Sequence, residues 1–575
     1  MKKINLLMTA IAIFGFATIS MAQNQLGWGT YYTATQEVWP FGEDLAKSCI
    51  TDASGNVYMV GYTSSAAGSN LLATSGAHQS LHAGGPTSNG SGSFDAYLVK
   101  FNSSGVRQWA TYYGGSGNDF GFSCATDASG NVFMIGITSS TSGIATAGAH
   151  ETAVNNGFLV KFNSSGVRQW GTYFGGNGKH CTTDASGNIY IVGGTDLTLG
   201  IATAGAHQTM LSGSGDAFLV KFNSSGVKQW GTYFGGISAD DGNSCTIDAL
   251  GNIYMTGATF SSSGIATAGA HQTANAGYTD AFLVKFNSSG VRQWGTYYGG
   301  VGPDDGFSCT TDASGNVYMT GQAQQQMAAS GIATPGSHQS AYGGGYNDAF
   351  LVKFDSNGFR QWGTYYGGSL GDSGNSCTID AFGNIYMTGW TQSSTGIATA
   401  GAVKIVISGP SDVYLVQFDL NGVRQSGTYY GGGDIDIASS CATDASGNIY
   451  ITGHTQSNSG IATAGAHQTV DGGVGSSYND AFLVKFNGIS LGINETVNEK
   501  SFTVYPNPAQ SLVNVKADAK LIGTVFTIYD NTGKVVLSGT INAENTSVDL
   551  GNLAAGIYLF NVGENVKQTF KVIKE

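Results

Sequence analysis

Arginine is scarce: the 575 residues hold five, at 107, 168, 292, 360 and 424. Charged side chains of all kinds make up 11% of the chain, acids outnumber bases 37 to 24, and the net charge is −13. No basic stripe exists to neutralise phosphates, which excludes nucleic acid and anionic lipid as partners. No phosphate-binding loop occurs. Past the first 22 residues no run is apolar enough to span a bilayer. The opening MKKINLLMTAIAIFGFATISMAQ reads instead as a secretory signal peptide cut after Ala22, and no cysteine follows to mark a lipoprotein.

Glycine, by contrast, occupies 88 positions, and 41% of residues are hydrophobic. That pairing describes many short strands joined by tight turns around a real core. Seven cysteines, at 49, 124, 181, 245, 309, 377 and 441, each open the pattern Cys-x-x-Asp-Ala-x-Gly-Asn-(Ile/Val)-(Tyr/Phe). Between them recur GIATAGAHQT, DAFLVKFNSSGVRQ and WGTYYGG. The blocks alternate with the period of half-buried strands. Each repeat yields four: A around the Cys-x-x-Asp, B in NIYMTG, C in AFLVKF and D in RQWGTYY. Four antiparallel strands repeated with no helical pattern between them predict a β-propeller. The chain enters on a D strand (28 to 32) and leaves on a C strand (480 to 487). The expected architecture is therefore all-β: a seven-bladed ring whose N-terminal strand completes the last blade, followed by a small β-sandwich.

An odd number of cysteines, one per equivalent position, cannot pair within the chain, and stacked sheets hold such positions beyond disulfide reach. His180 beside Cys181 is the one combination suggesting a nucleophile, but neighbours on a strand point to opposite faces. The cysteines are read as small inner-strand packing residues. The aspartates of DASGN raise calcium, yet each loop offers a single carboxylate, so they are read as turn caps; no cofactor and no metal are expected. Histidines 78, 150, 207, 271, 338 and 467, with Val403 in the sixth copy, are assigned to packing the B-to-C loops.

Length variation concentrates in the B-to-C and D-to-A connections, so that face of the disc is the expected binding face. The D-to-A connections are acidic. They carry Glu37, Glu43 and Asp44, then Asp119, Asp240 with Asp241, Asp304 with Asp305, Asp372, and Asp434 with Asp436, while the third copy, GGNGKHC, has none. Leading into the inner strands, they would rim the central channel with negative potential. Trp39 adds an aromatic platform of a kind sugars stack on. Departures from the repeat look scattered, which favours a non-catalytic binding or adhesion module for a glycan or surface protein. The alternative is a secreted polysaccharide hydrolase or lyase using the acidic loops.

The combination of GNIYMTG, GIATAGAHQT, DAFLVKFNSSG and TYYGG resembles the bacterial repeat family named for seven-bladed propellers, over about residues 24 to 490. After Asn487, GISLGINETVNEK reads as a linker, and residues 501 to 575 become alternating strands. The expected division is signal peptide 1–22, propeller 23–487, linker 488–500 and C-terminal domain 501–575. That last domain resembles the type A sorting domain of the type IX secretion system. The matching residues are Tyr505-Pro506-Asn507-Pro508, YDNTGKVV from Tyr529 to Val536, Gly556-Ile557-Tyr558, and KVIK from Lys571 to Lys574. The resemblance implies export across the outer membrane of a Gram-negative bacterium. It further implies recognition by the translocon, removal of the tail by a sortase-type peptidase, and a secreted or surface-attached product.

Overall fold

The computed structural model describes residues 25–34, 43–64, 72–84, 93–198, 200–324, 331–472, 479–488, 502–530, 534–562 and 568–575. The signal peptide, Trp39 and almost all of the linker lie outside them. The chain divides into two compact units, Met1–Ile489 and Ser490–Glu575. The described residues contain no α-helix, only strands and one 3-10 turn at Ala519–Leu521.

In the first unit the strands form four-stranded antiparallel sheets ordered A-B-C-D. The second sheet, Asp119–Thr126, Val132–Thr138, Gly157–Phe162 and Arg168–Phe174, represents them. Six sheets are consecutive quartets. The seventh joins Asp436–Thr443, Ile449–Thr455 and Asp480–Asn487 to Gln25–Tyr32 from the start of the chain. Trp28 stands opposite Lys485 and Tyr31 opposite Phe482 in that pairing.

The expectation of half-buried strands fails for B and C, which are buried on both faces because each sheet packs between two others. Phe158, Val160 and Phe162 join Tyr58, Val60 and Leu98 of the sheet before. Leu159, between them in sequence, joins Ile189 and Phe218 of the sheet after. Burying such a side chain contributes roughly 1.5–3 kcal/mol, so the period-two pattern distributes its stabilisation to both neighbours.

GIATAGAHQT is not a free loop. It runs down the outer edge of its own sheet, where Thr146 N–H donates to Gly171 O (2.9 Å) and Tyr173 N–H to Glu151 O (3.1 Å). Each D-strand edge, which would otherwise invite pairing with another chain, is covered in this way. The arginines are spent on the same segment: Arg107 donates to Leu72 O (3.0 Å) and Arg168 to Gly143 O (3.1 Å), so they do not sit apart from the B-to-C connections. The histidines pack here across sheets, His78 against Tyr113 and Phe162, and His467 against Tyr32 and Phe101.

Tryptophan locks neighbouring sheets. Trp109 Nε1–H donates to Ser164 O (3.0 Å) in the next sheet's C-to-D turn, and a Cβ on Gly166 would stand 2.8 Å from its ring. Trp28, Trp170, Trp230, Trp294 and Trp362 repeat the contact. The sixth D strand carries Ser426 instead. The seventh sheet has no C-to-D turn for a ring to cover, because its C strand ends at Asn487 and its D strand begins at Gln25.

The second unit pairs Phe502–Tyr505, Leu512–Ala517 and Asn545–Asp549 in one sheet. Val535–Thr540, Val525–Tyr529, Gly556–Val562 and Gln568–Lys574 form the other. Phe502, Val513, Val515, Phe526, Ile528, Phe560 and Val572 fill the space between. Asn507 ties the two ends of the domain together: its Nδ2 donates to Lys571 O and its Oδ1 accepts from Ile573 N, both at 2.7 Å. The two separated motifs are thus one structural clasp. Asn507→Ala is expected to destabilise the tail by about 2 kcal/mol, two hydrogen bonds being lost, and to lower export of the full chain. Wild-type thermal stability of the tail and normal export in that variant would contradict it.

Candidate functional site

The A strands of successive sheets lie side by side and exchange hydrogen bonds at the cysteines. Cys309 N–H donates to Ser244 Oγ (3.3 Å), Cys377 N–H to Ser308 Oγ (3.2 Å), Cys441 N–H to Ser376 Oγ (3.1 Å) and Cys49 N–H to Ser440 Oγ (3.3 Å). All seven cysteines are buried and free, and burial pushes Cys181, Cys309 and Cys441 up to about 12. Residues from all seven A strands surround one cavity of about 230 Å³. His180 takes the serine place in the third copy, and it meets Cys245 of the next sheet (Nδ1 to Sγ 3.7 Å), not its neighbour Cys181. The DASGN aspartates cap turns: Asp127 Oδ1 accepts from Ser129 N (3.0 Å) and Asn131 N (2.9 Å), with Gly130 at φ 75°.

The acidic connections divide into two groups. Asp44, Asp119, Asp240, Asp304, Asp372 and Asp436 are buried, so they are not an open rim. Asp119 shows why. Its Oδ2 accepts from Gly115 N and Ser140 Oγ, and Thr138 Oγ1–H donates to its Oδ1. Each of these carboxylates faces another, at the start of the neighbouring sheet's C strand. A Cβ on Gly235 would stand 2.5 Å from Asp240 Oδ2 and 2.9 Å from Asp216 Oδ1, and Gly114, Gly299 and Gly367 are flanked likewise. Only glycine fits between two carboxylates. Burial raises Asp95, Asp119, Asp280, Asp436 and Asp480 to about 6 and Asp348 to about 7. Asp304 rises furthest, to about 8, through burial and then the Asp280 and Asp305 charges. Ala323 stands opposite it where Thr138, Thr259, Thr391 and Thr455 serve the other copies. One junction lacks both acids together, with Asn156 and Gly176 in their places, and the sixth supplies Lys404, whose Nζ donates to Asp412 Oδ2 at 2.7 Å.

The second group, Glu43, Asp241, Asp305 and Asp434, is half-buried, and Trp39 lies outside the described residues. Asp241 and Asp305 belong to a set that reading along the chain misses. Every A strand bulges two residues before its cysteine, between Gly242 and Ser244 for example, while the residue four before the cysteine pairs with the penultimate residue of strand B. The three together form a different set in every copy. They read Leu45, Lys47 and Tyr62; Phe120, Phe122 and Ile137; Asn177, Lys179 and Gly194; Asp241, Asn243 and Ala258. The remaining copies supply Asp305, Phe307 and Gln322; Ser373, Asn375 and Trp390; Ile437, Ser439 and His454. The intervening B-strand glycine is the same in all seven.

These side chains contact one another at one end of the A strands. Tyr62 packs edge-on against Phe120 (centroids 4.8 Å) and Phe94 (5.5 Å), with Lys47 Nζ 5.4 Å above its ring. Lys179 Nζ donates to Asp241 and to Asn243 Oδ1 (3.1 Å), and Asp305 Oδ2 accepts from Gln322 Nε2 (2.9 Å). Burial raises the Asp305 carboxyl, and Lys179 partly offsets this. Departures from the repeat are therefore gathered, not scattered. The signal was available in the sequence as three variable columns within otherwise uniform strands.

Two segments of the first unit, residues 229–262 and 361–395, match the family model described as a beta-propeller repeat. Residues 503–575 match that of the secretion system C-terminal sorting domain. The chain thus carries propeller repeats and a type IX sorting tail, which marks a secreted, cell-surface protein of a Bacteroidetes-type Gram-negative bacterium whose tail meets the secretion machinery. No curated protein matches the sequence. Among solved structures it is similar to PorZ, a surface component of the type-IX secretion system of Porphyromonas gingivalis. Identity is 12% and TM-score 0.36, over 94% of this chain and 61% of that one. It is also similar to BamB from Moraxella catarrhalis, at 10% identity and TM-score 0.29, over 81% and 100%.

Proposed function

We propose that the chain is a closed seven-bladed propeller, residues 23–487, delivered by a signal peptide and the tail at 501–575 to the outer-membrane surface, where it acts as a non-catalytic binding or adhesion module. Its working site is the end of the central cavity ringed by the variable A and B positions, with Glu43 and Asp434 at its margin. The observation carrying this reading is the concentration of repeat-breaking residues at three positions of each sheet, several of which contact one another. A scaffold conserved for packing alone has no reason to differ there in all seven copies. Closure of the ring is supported by the pairing of Gln25–Tyr32 with Asp480–Asn487 and by the Cys49–Ser440 hydrogen bond.

The test uses the purified secreted protein and a triple variant, Phe120→Ala, Asp305→Ala and Trp390→Ala, applied to fluorescently scored bacterial and host cell surfaces. The variant should melt within a few degrees of wild type and lose surface binding by more than about tenfold, roughly 1.4 kcal/mol. Equal binding by both proteins would remove the cavity mouth from function. One observation favours the hydrolase alternative: a raised Asp305 carboxyl in the same mouth as a Lys179-paired Asp241. Release of reducing ends from polysaccharide, abolished by Asp305→Asn, would establish it.

A further inference from the structure

Resting on that reading of the cavity mouth, we infer that its ligand is the end of a neutral, hydroxyl-rich saccharide. Three features of the mouth select this chemistry. The first is the contrast between its sides. Sheets one and two contribute Tyr62, Phe94, Phe120 and Phe122, all half-buried, with the Phe120 and Phe122 rings within 7° of parallel. Sheets three to five contribute Asn177, Lys179, Asp241, Asn243, Asp305 and Gln322, with Phe307 the one aromatic among them. One side offers an apolar surface for ring C–H groups, and the other offers hydrogen-bonding groups to a polar edge.

The second is charge. Lys179 is already paired with Asp241, and Lys47 already occupies the face of Tyr62, where a ligand ammonium would seek its cation–π contact. A cationic ligand finds its aromatic place taken. An anionic ligand must approach Asp241 and Asp305 with their lysine committed. A neutral ligand meets neither obstacle.

The third is hydrogen-bond polarity. Asp241 offers a ligand little, because one oxygen is buried against Gly194 and the other accepts from Lys179 Nζ. Asp305 has one oxygen engaged by Gln322 and, as a carboxylate, accepts further bonds through the other. Asp305 thus has an acceptor to offer a ligand hydroxyl. The cavity that the A strands enclose at their cysteines and threonines holds about 230 Å³. That is smaller than a typical ligand pocket of roughly 300–1,000 Å³, so the ligand presents an end and does not thread the disc.

The experiment probes the full secreted protein on an array of neutral, sialylated and sulfated oligosaccharides alongside tryptic peptides. Binding to neutral members is expected, insensitive to added salt, and weakened about tenfold or more by Phe120→Ala and by Asp305→Asn separately. Cell surfaces oxidised with periodate should lose their capacity for the protein, whereas surfaces treated with proteinase K should keep it. Binding confined to charged glycans or to peptides, or capacity lost to proteinase K and not to periodate, overturns the saccharide assignment. The surface-binding reading then still stands on the triple variant. Failure of that variant to alter cell binding, with folded protein, overturns the site itself.

Discussion

The melting temperature of the propeller unit should rise as pH falls from about 8.5 to 6.5, by roughly 1 °C for each kcal/mol gained in a unit of this size. The cause is the ring of facing carboxyls. In the folded chain Asp304 titrates near 8, Asp348 near 7, and Asp95, Asp119, Asp280, Asp436 and Asp480 near 6, all against an ordinary 3.8. The folded state takes up these protons while the unfolded chain remains ionised. The penalty for burying the charges is full above about pH 8, begins to lift as pH falls through each folded value, and is gone only below the ordinary 3.8, at about 1.4 kcal/mol per pKa unit and proton. Below 6.5 the histidines act in the opposite direction. Burial holds His180 and His454 near 4, so the unfolded chain protonates first and stability is lost as acid is added. The half-exposed His78, His271, His338 and His467, also held near 4, add to this with smaller weight. Stability should therefore climb from pH 8.5 to 6.5 and change less steeply below, where carboxyl and histidine protonation oppose each other. Asp304→Asn should raise stability at pH 8 and flatten the slope above 7. A profile flat or falling from pH 8.5 to 6.5 would contradict the facing-carboxyl account.

Gly321→Ala should cost more than about 3 kcal/mol, measured by denaturant unfolding, although φ at this glycine is ordinary. A Cβ there would stand 1.8 Å from the carbonyl oxygen of Asp305 and 2.9 Å from the Phe350 ring. Backbone must move. Gly61, Gly136, Gly193, Gly257, Gly389 and Gly453 face the same carbonyl in their own sheets at 2.0 Å or less. This close approach lies beside the A-strand bulge, so the substitution should also displace Asp305 and weaken ligand binding. Gly336→Ala is the contrast: it sits at φ 80° with nothing within 4 Å. Only backbone strain opposes it, about 1 kcal/mol. Equal costs for the two would refute close packing as the reason for the B-strand glycine.

Particular residues explain what the sequence disclosed. The cysteine block and DAFLVKF announce repeated four-stranded sheets because packing constrains them alike in every copy. Tyr505-Pro506-Asn507-Pro508 and the terminal KVIK announce the tail because Asn507 joins them. The site was hidden for two reasons. Asp119 looks like a loop acid until Thr138 and Ser140, far along the chain, are seen to turn it inward. Lys47, Phe122 and Asn243 look like random substitutions until the bulge rotates them toward the same side as Leu45, Phe120 and Asp241.

The seventh sheet has a consequence for biogenesis. Gln25 is among the first residues of the unit to be made or to emerge from a pore, and its partner Asn487 is among the last. Contacts of such long sequence separation form late. The first strand must wait, unpaired, for nearly the entire unit to arrive. A unit whose last sheet draws on both of its ends completes that sheet only once all of it is present.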